Sequence, residues 1–194
     1  MMILRRALAG LGAVVLCALA MWFTNVKPHL VARLQTPLLA HGRIGTAVDN
    51  RVFSVKVDRV DVASGIVKHD SLSGGRRMTT PGIFVIVYVS AKSNLKPLQL
   101  GHARLETRGG LSYDETGRSD IFTSDASLEP MLWRSTFYVF EIPKDRLAGA
   151  RFVVGQSDLV DNLSAETAVD LGLTASRTAR LLTGPPTDYA LKSS

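Results

Sequence analysis

The hydrophobic pattern divides the chain into two regimes. Residues 7–26 carry no charged side chain, and a stretch of about twenty apolar residues is what a helix needs to cross the hydrocarbon layer of a membrane. A core helix of a globular domain would carry a polar stripe, and none interrupts residues 8–23. From Ile44 the pattern changes to period two. Val55 and Val57 alternate with Ser54, Lys56 and Asp58, and after a slip Val60 and Val62 alternate with Arg59 and Asp61. This predicts a strand with one buried face and a bulge near Asp58-Arg59.

Gly82 opens Ile83-Phe84-Val85-Ile86-Val87-Tyr88-Val89, a β-branched and aromatic run too short to span a membrane and too β-rich for a helix, so it predicts a central strand. Asn94 and Pro97 mark a turn, after which Leu98-Gln99-Leu100 and residues 103–107 read as a strand pair ended by Gly109-Gly110. Residues 133–142 return to alternation until Pro143, and residues 151–154 and 168–173 predict shorter strands. Between them, residues 64–81 read as a long glycine-containing loop and residues 113–129 as a polar one. Many short strands separated by Gly and Pro predict an all-β chain, an immunoglobulin-like antiparallel β-sandwich preceded by a single N-terminal transmembrane helix. The expected division is a signal anchor over 1–26, a linker over 27–43, the sandwich over 44–183 and a disordered tail over 184–194 that contains Pro185-Pro186.

The N-terminal stretch has two readings. Arg5 and Arg6 precede it directly, which by the positive-inside bias holds the N-terminus in the cytoplasm and sends the following domain outward. A cleavable signal would use Ala18-Leu19-Ala20 as its processing site. Against cleavage, the apolar run continues through Met21-Trp22-Phe23, and Trp and Phe suit the interfacial belt at the outer face. The uncleaved anchor is preferred, with Leu8, Leu11, Val14, Val15, Leu16, Leu19, Trp22 and Phe23 as its lipid-facing residues. Either reading exports the domain to the outside of the cell membrane. Gly10, Gly12, Ala13, Ala9 and Ala20 leave small faces suited to close helix contact. Cys17, the only cysteine, lies inside the apolar stretch, so the exported part contains no disulfide, and Leu16 stands where lipoprotein processing needs a small residue.

The order of features over residues 44–173 resembles the bacterial telokin-like domain family, immunoglobulin-type sandwiches of secreted, lipid-anchored or membrane-anchored proteins, often in Gram-positive bacteria and actinobacteria. The shared features are the amphipathic strand of residues 52–62, Gly82 and the run to Val89, Asn94 with Pro97-Leu98, Tyr113-Asp114-Glu115-Thr116-Gly117, and Leu128-x-Pro130 before Phe140-Glu141-Ile142-Pro143. Two departures stand out: Pro130 is followed by Met131 where the family usually has Pro-Gly, and the expected Asp-Gly hairpin pair is present only as Asp114 and Gly117. The resemblance implies an extracellular interaction or structural role and brings no catalytic residues.

Composition adds a weak bias and removes several chemistries. The net charge of +6 is spread along the chain, with no basic run longer than Arg5-Arg6 or Arg76-Arg77, so it favours anionic lipid or wall polymer over nucleic acid. Gly110-Leu111-Ser112-Tyr113-Asp114 lacks the second glycine of a nucleophile elbow. His29, His41, His69 and His102 stand singly, without zinc-ligand spacing. Asp114, Glu115, Asp120, Asp125 and Glu129 lack the spacing of a calcium loop and read as a solvated loop. Asn162-Leu163-Ser164 matches a glycosylation sequon, which matters only in a eukaryotic secretory route. The expected function is therefore noncatalytic and cofactor-free: a membrane-anchored accessory domain that touches lipid and a protein partner in the envelope. Ile121, Phe122, Met131, Leu132 and Trp133 flank the acidic loop and form the candidate partner rim, with ordinary core packing as the competing reading. A secreted sandwich that binds a small ligand or glycan is the second hypothesis, and aromatics lining a groove would mark it.

Overall fold

The computed structural model divides the chain into two units, Met1–Thr36 and Pro37–Ser194. It describes Leu16, Met21 and residues 39–68, 76–116, 127–156 and 165–191. In the first unit, Leu16 and Met21 are helical and exposed. Among the described residues no helix is long and apolar enough to cross a membrane. Leu8, Leu11, Val14, Val15, Leu19, Trp22 and Phe23, and the candidate cleavage site, lie outside the described residues.

The second unit is a β-sandwich. Its strands are β1 (Leu39–Arg43), β2 (Val48–Asp49), β3 (Phe53–Lys68), β4 (Arg76–Ser93), β5 (Leu98–Glu106), β6 (Ser112–Asp114), β7 (Ser127–Leu128), β8 (Arg134–Ile142), β9 (Arg151–Gln156), β10 (Glu166–Asp170) and β11 (Tyr189–Ala190). One sheet runs β1-β10-β9-β5-β6 with β7 on β5; the other runs β11-β3-β4-β8 with β2 on β3. The interior pairings are antiparallel, but β1 lies parallel to β10 and β11 parallel to β3. The purely antiparallel expectation therefore fails at one edge of each sheet. Strands so far apart in sequence need no hairpin, so nothing in the local turns constrains their direction.

Between the sheets lies a core that includes Phe53, Val55, Val57, Val60, Val62, Val85, Phe140 and Phe152. The Phe152 ring packs 5.3 Å from Tyr138 and 6.0 Å from Phe140, centroid to centroid. The register of β3 against β4 slips between Val57 and Arg59, where the alternation of the sequence slips, and this keeps Val60 and Val62 on the core face. The unbroken apolar run of β4 has a simple cause: its two faces are both buried. Val85 and Val87 face the inter-sheet core, while Phe84, Ile86 and Tyr88 join Ala63, Ile66, Met78 and Val139 in a second cluster on the outer face.

That outer cluster explains two corrections to the sequence reading. β3 continues to Lys68 and β4 begins at Arg76, so much of the expected 64–81 loop is hairpin, with residues 69–75 outside the described part. The expected disordered tail instead lays β11 along β3, with Tyr189 and Leu191 packed on the outer cluster. The Ser64 and Gly65 amides both donate to the Pro186 carbonyl, at 2.9 and 3.3 Å, and the Tyr189 hydroxyl donates to Asp61 Oδ2 at 2.5 Å. The expected linker is also shorter than drawn, because β1 starts at Leu39.

Two further elements differ. The predicted strand pair at 98–107 is one strand, β5, irregular between Gly101 and Arg104. An unpredicted helix α1 (Ala175–Leu182) starts at Thr174, whose hydroxyl accepts from the Arg177 amide at 3.3 Å, and it buries Thr178.

Candidate functional site

The site is built at one end of the sandwich by strand register. Leu39 pairs with Glu166, Glu166 with Gly155, and Gly155 with Gly101, so the chain enters β1 at the end where β5 begins. The turn of residues 94–97 joins β4 to β5 there, and Leu98 pairs with Leu128 beside it. From Leu128 the chain makes a second turn into β8, tied to the first by a bridge between Ser93 and Pro130 and by the Met131 amide donating to the Ser93 carbonyl at 2.9 Å.

That second turn resolves the Pro130-Met131 departure. Residues 129–132 close with the Leu132 amide donating to the Glu129 carbonyl at 3.4 Å, and Met131 takes φ +62°. Proline at the second position and a left-handed residue at the third is the pattern of a type II turn, where glycine is the usual occupant. Here a methionine fills that position, at a backbone cost of roughly 1–2 kcal/mol. Met131 is 69% exposed, so burial of its side chain offsets little of this cost.

Leu132 and Trp133 follow at 64% and 46% exposed, and Leu95 on the neighbouring turn at 75%. Core packing, the competing reading of the 131–133 rim, is thereby excluded. Ile121 and Phe122, the other half of the predicted rim, lie outside the described residues. Sequence reasoning missed Leu95 and Leu39, which join the same end only through pairing. Basic groups surround it: the Lys92 ammonium stands 5.4 Å from the centre of the Trp133 ring, Lys96 is exposed beside Leu95, and Arg134 follows Trp133 and donates to the Ser127 carbonyl at 3.3 Å.

Elsewhere the described residues offer little for chemistry. No group of three or more His, Cys, Asp or Glu among them could hold a metal. A shallow recess of about 560 Å³ is lined by Thr80, Pro81, Gly82, Glu141, Lys144 and Asp145 among others, and a second of about 400 Å³ by Glu106, Arg108, Gly109 and Arg151 among others. Neither has an aromatic in its lining, so the glycan-groove hypothesis gains no support from them. Arg104 grips Glu166 with two parallel hydrogen bonds of 2.7 and 2.8 Å and also contacts Glu106, a structural clamp across β5 and β10. Of the acidic loop residues, Asp114 and Glu129 are exposed, and Asp120 and Asp125 lie outside the described residues. Glu115 differs: half-buried at the seam where it bridges to Phe140, its carboxyl is pushed up to about 7 by burial. Near the same seam, the Tyr138 hydroxyl is buried without a hydrogen-bond partner among the described residues, and burial, then the charge of Glu115, raises its proton affinity.

No family model and no curated protein matches the chain. Among solved structures it is similar to an uncharacterized β-sandwich protein from Clostridium difficile, at 10% identity and TM-score 0.41, covering 67% of this chain and 92% of that one. It is also similar to the YjhA protein of Bacillus subtilis, at 14% identity and TM-score 0.46, covering 66% and 99%. A third similar chain is the candidate lipoprotein YcdA of Bacillus subtilis, at 14% identity and TM-score 0.44, covering 69% of this chain and 41% of that one. The β-sandwich rests on the two sheets themselves, and no comparison confirms the telokin-like family.

Proposed function

We propose that this chain is a noncatalytic accessory protein of the cell envelope. In this reading residues 1–26 anchor it in the cell membrane with the N-terminus cytoplasmic, and the sandwich acts outside as an interaction module of telokin-like type. One observation carries the reading. Of the six large apolar side chains exposed among the described residues of the sandwich unit, Leu39, Leu95, Met131, Leu132 and Trp133 share one end, and Leu111 alone sits at the other. Exposed apolar groups scattered singly need no explanation, whereas a concentration at one end marks a docking surface.

Impermeant maleimide labelling tests both location and docking. With Cys17→Ser as background, Leu111→Cys is expected to label readily in intact cells and Leu132→Cys several-fold more slowly. Failure of the position 111 cysteine to label would place the sandwich inside the cell. Equal rates at the two positions would mean that nothing covers the apolar end.

Met131→Gly separates docking from folding. Glycine adopts the left-handed turn without strain, so the variant is expected to be as stable as the parent or up to about 1 kcal/mol more stable by urea denaturation. The same variant is expected to weaken protection at position 132. A stability loss above about 1 kcal/mol would show that Met131 is retained for packing instead.

A further inference from the structure

We infer that the apolar end of the sandwich is a lipid-docking tip that seats on the headgroup region of an anionic bilayer. This rests on the reading given above and names the partner of that same surface.

The side chains are of the kind that interfaces of bilayers accept. Trp133, Leu132 and Met131 on one turn and Leu95 on the next project from loops, and Trp concentrates where hydrocarbon meets headgroup. The rim chemistry complements phosphate. Lys92 and Lys96 have no carboxylate partner among the described residues. Asp49, a carboxylate at this end, accepts from the Arg51 amide and from Asn94 Nδ2, and Glu129 is exposed. Cores of protein interfaces are depleted in lysine, whereas here Lys92 lies against the Trp133 ring itself. An aromatic at the interface with an ammonium reaching the phosphates is the arrangement of a membrane-surface contact.

Chain connectivity points the same way. The sandwich is entered at Leu39, at the tip end, and residues 27–38 span at most about 40 Å even fully extended. A membrane segment at residues 7–26 would therefore be joined to the sandwich through its tip end.

The test uses the full chain reconstituted alone, with no other protein, in vesicles of phosphatidylcholine with or without phosphatidylglycerol. Labelling of Leu132→Cys is read against Leu111→Cys in the same preparation, both in the Cys17→Ser background, which cancels differences in orientation. The expected result is slower relative labelling at position 132 when phosphatidylglycerol is present, reversed by 0.5 M salt on the order of what screening of surface charge predicts. Lys92→Gln and Lys96→Gln are each expected to shift the docked-to-free ratio about fivefold, the equivalent of roughly 1 kcal/mol per charge near an anionic surface. In a Trp22→Phe chain, where Trp133 is the only tryptophan, phosphatidylglycerol brominated on its chains is expected to quench the emission. Equal relative labelling in both vesicle types and in detergent overturns the inference. If position 132 is then still protected in native membranes, a protein covers the tip and the accessory reading stands; if it is protected nowhere, the accessory reading falls as well.

Discussion

Replacing Gly65 by alanine is expected to detach the C-terminal segment and lower the folding free energy by about 2–4 kcal/mol. A Cβ at this position would lie 2.1 Å from the Thr187 carbonyl oxygen and 3.3 Å from that of Met78, both backbone atoms that cannot swing aside. The segment that must move carries the two hydrogen bonds to the Pro186 carbonyl, the Tyr189 pairing with Ile66 and the Tyr189 contacts to Asp61 and Tyr88. Each hydrogen bond contributes about 1 kcal/mol net, and uncovering part of Tyr189 and Leu191 costs a comparable further amount. Urea denaturation measures the loss, and carboxypeptidase digestion should report a released tail. A chain ending at Gly184 makes the decisive comparison. There the clash has no partner, so Gly65→Ala is expected to be neutral or slightly stabilising, through the lower entropy of the unfolded chain. An equal loss in the full and shortened chains would mean that Gly65 serves the β3–β4 hairpin and not the tail.

The second large effect is electrostatic. Burial holds the Glu115 carboxyl near 7, above its value of about 4.5 in an unfolded chain. A carboxyl whose affinity for the proton is raised by folding contributes its full stability below the unfolded value and loses it as pH rises through the folded one. The sandwich is thus expected to weaken between about pH 4.5 and 7.5 through this group. Full linkage would be worth about 3 kcal/mol, and partial screening by water at a half-buried site reduces this to about 1–2 kcal/mol. Glu115→Gln should therefore be about 1–2 kcal/mol more stable than the parent at pH 8 and no more stable at pH 4. Thermal unfolding across that range checks it, and a gain independent of pH would remove ionisation as the cause. The stakes are structural: the Glu115 amide donates to Ala103 and the Thr116 amide to Val139, the two bonds that close the seam between the sheets beside β6 and β8.

Parts of this architecture can be read from the residues alone because their causes are local. The β4 run is apolar at consecutive positions since both its faces are covered, and the slip at Asp58-Arg59 shows in the alternation because a bulge moves every later side chain to the other face. Pro130 announced a turn. The left-handed geometry there was hidden, because methionine stands where glycine would have signalled it. Helix α1 was missed because eight residues span barely two turns, too few for helical periodicity to stand out, although Thr178 is buried and Leu181 and Leu182 pack against the core. Leu111, Leu132 and Trp133 look alike in sequence; register alone sends the first to one end and the others to the opposite one.

By itself the sequence determined an N-terminal stretch free of charge, a β chain with its core strands at 53–62 and 83–89, and the absence of recognisable catalytic motifs. Tertiary structure alone decided that the tail folds back on β3, that β1 begins at Leu39, and that Leu39, Leu95 and Met131-Leu132-Trp133 lie at the same end of the sandwich. The reason is physical: periodicity records which face of its own element a side chain occupies. Which elements lie side by side, and therefore which exposed groups add up to a surface, depends on pairings between residues more than a hundred positions apart, such as Leu39 with Glu166 and Ile66 with Tyr189.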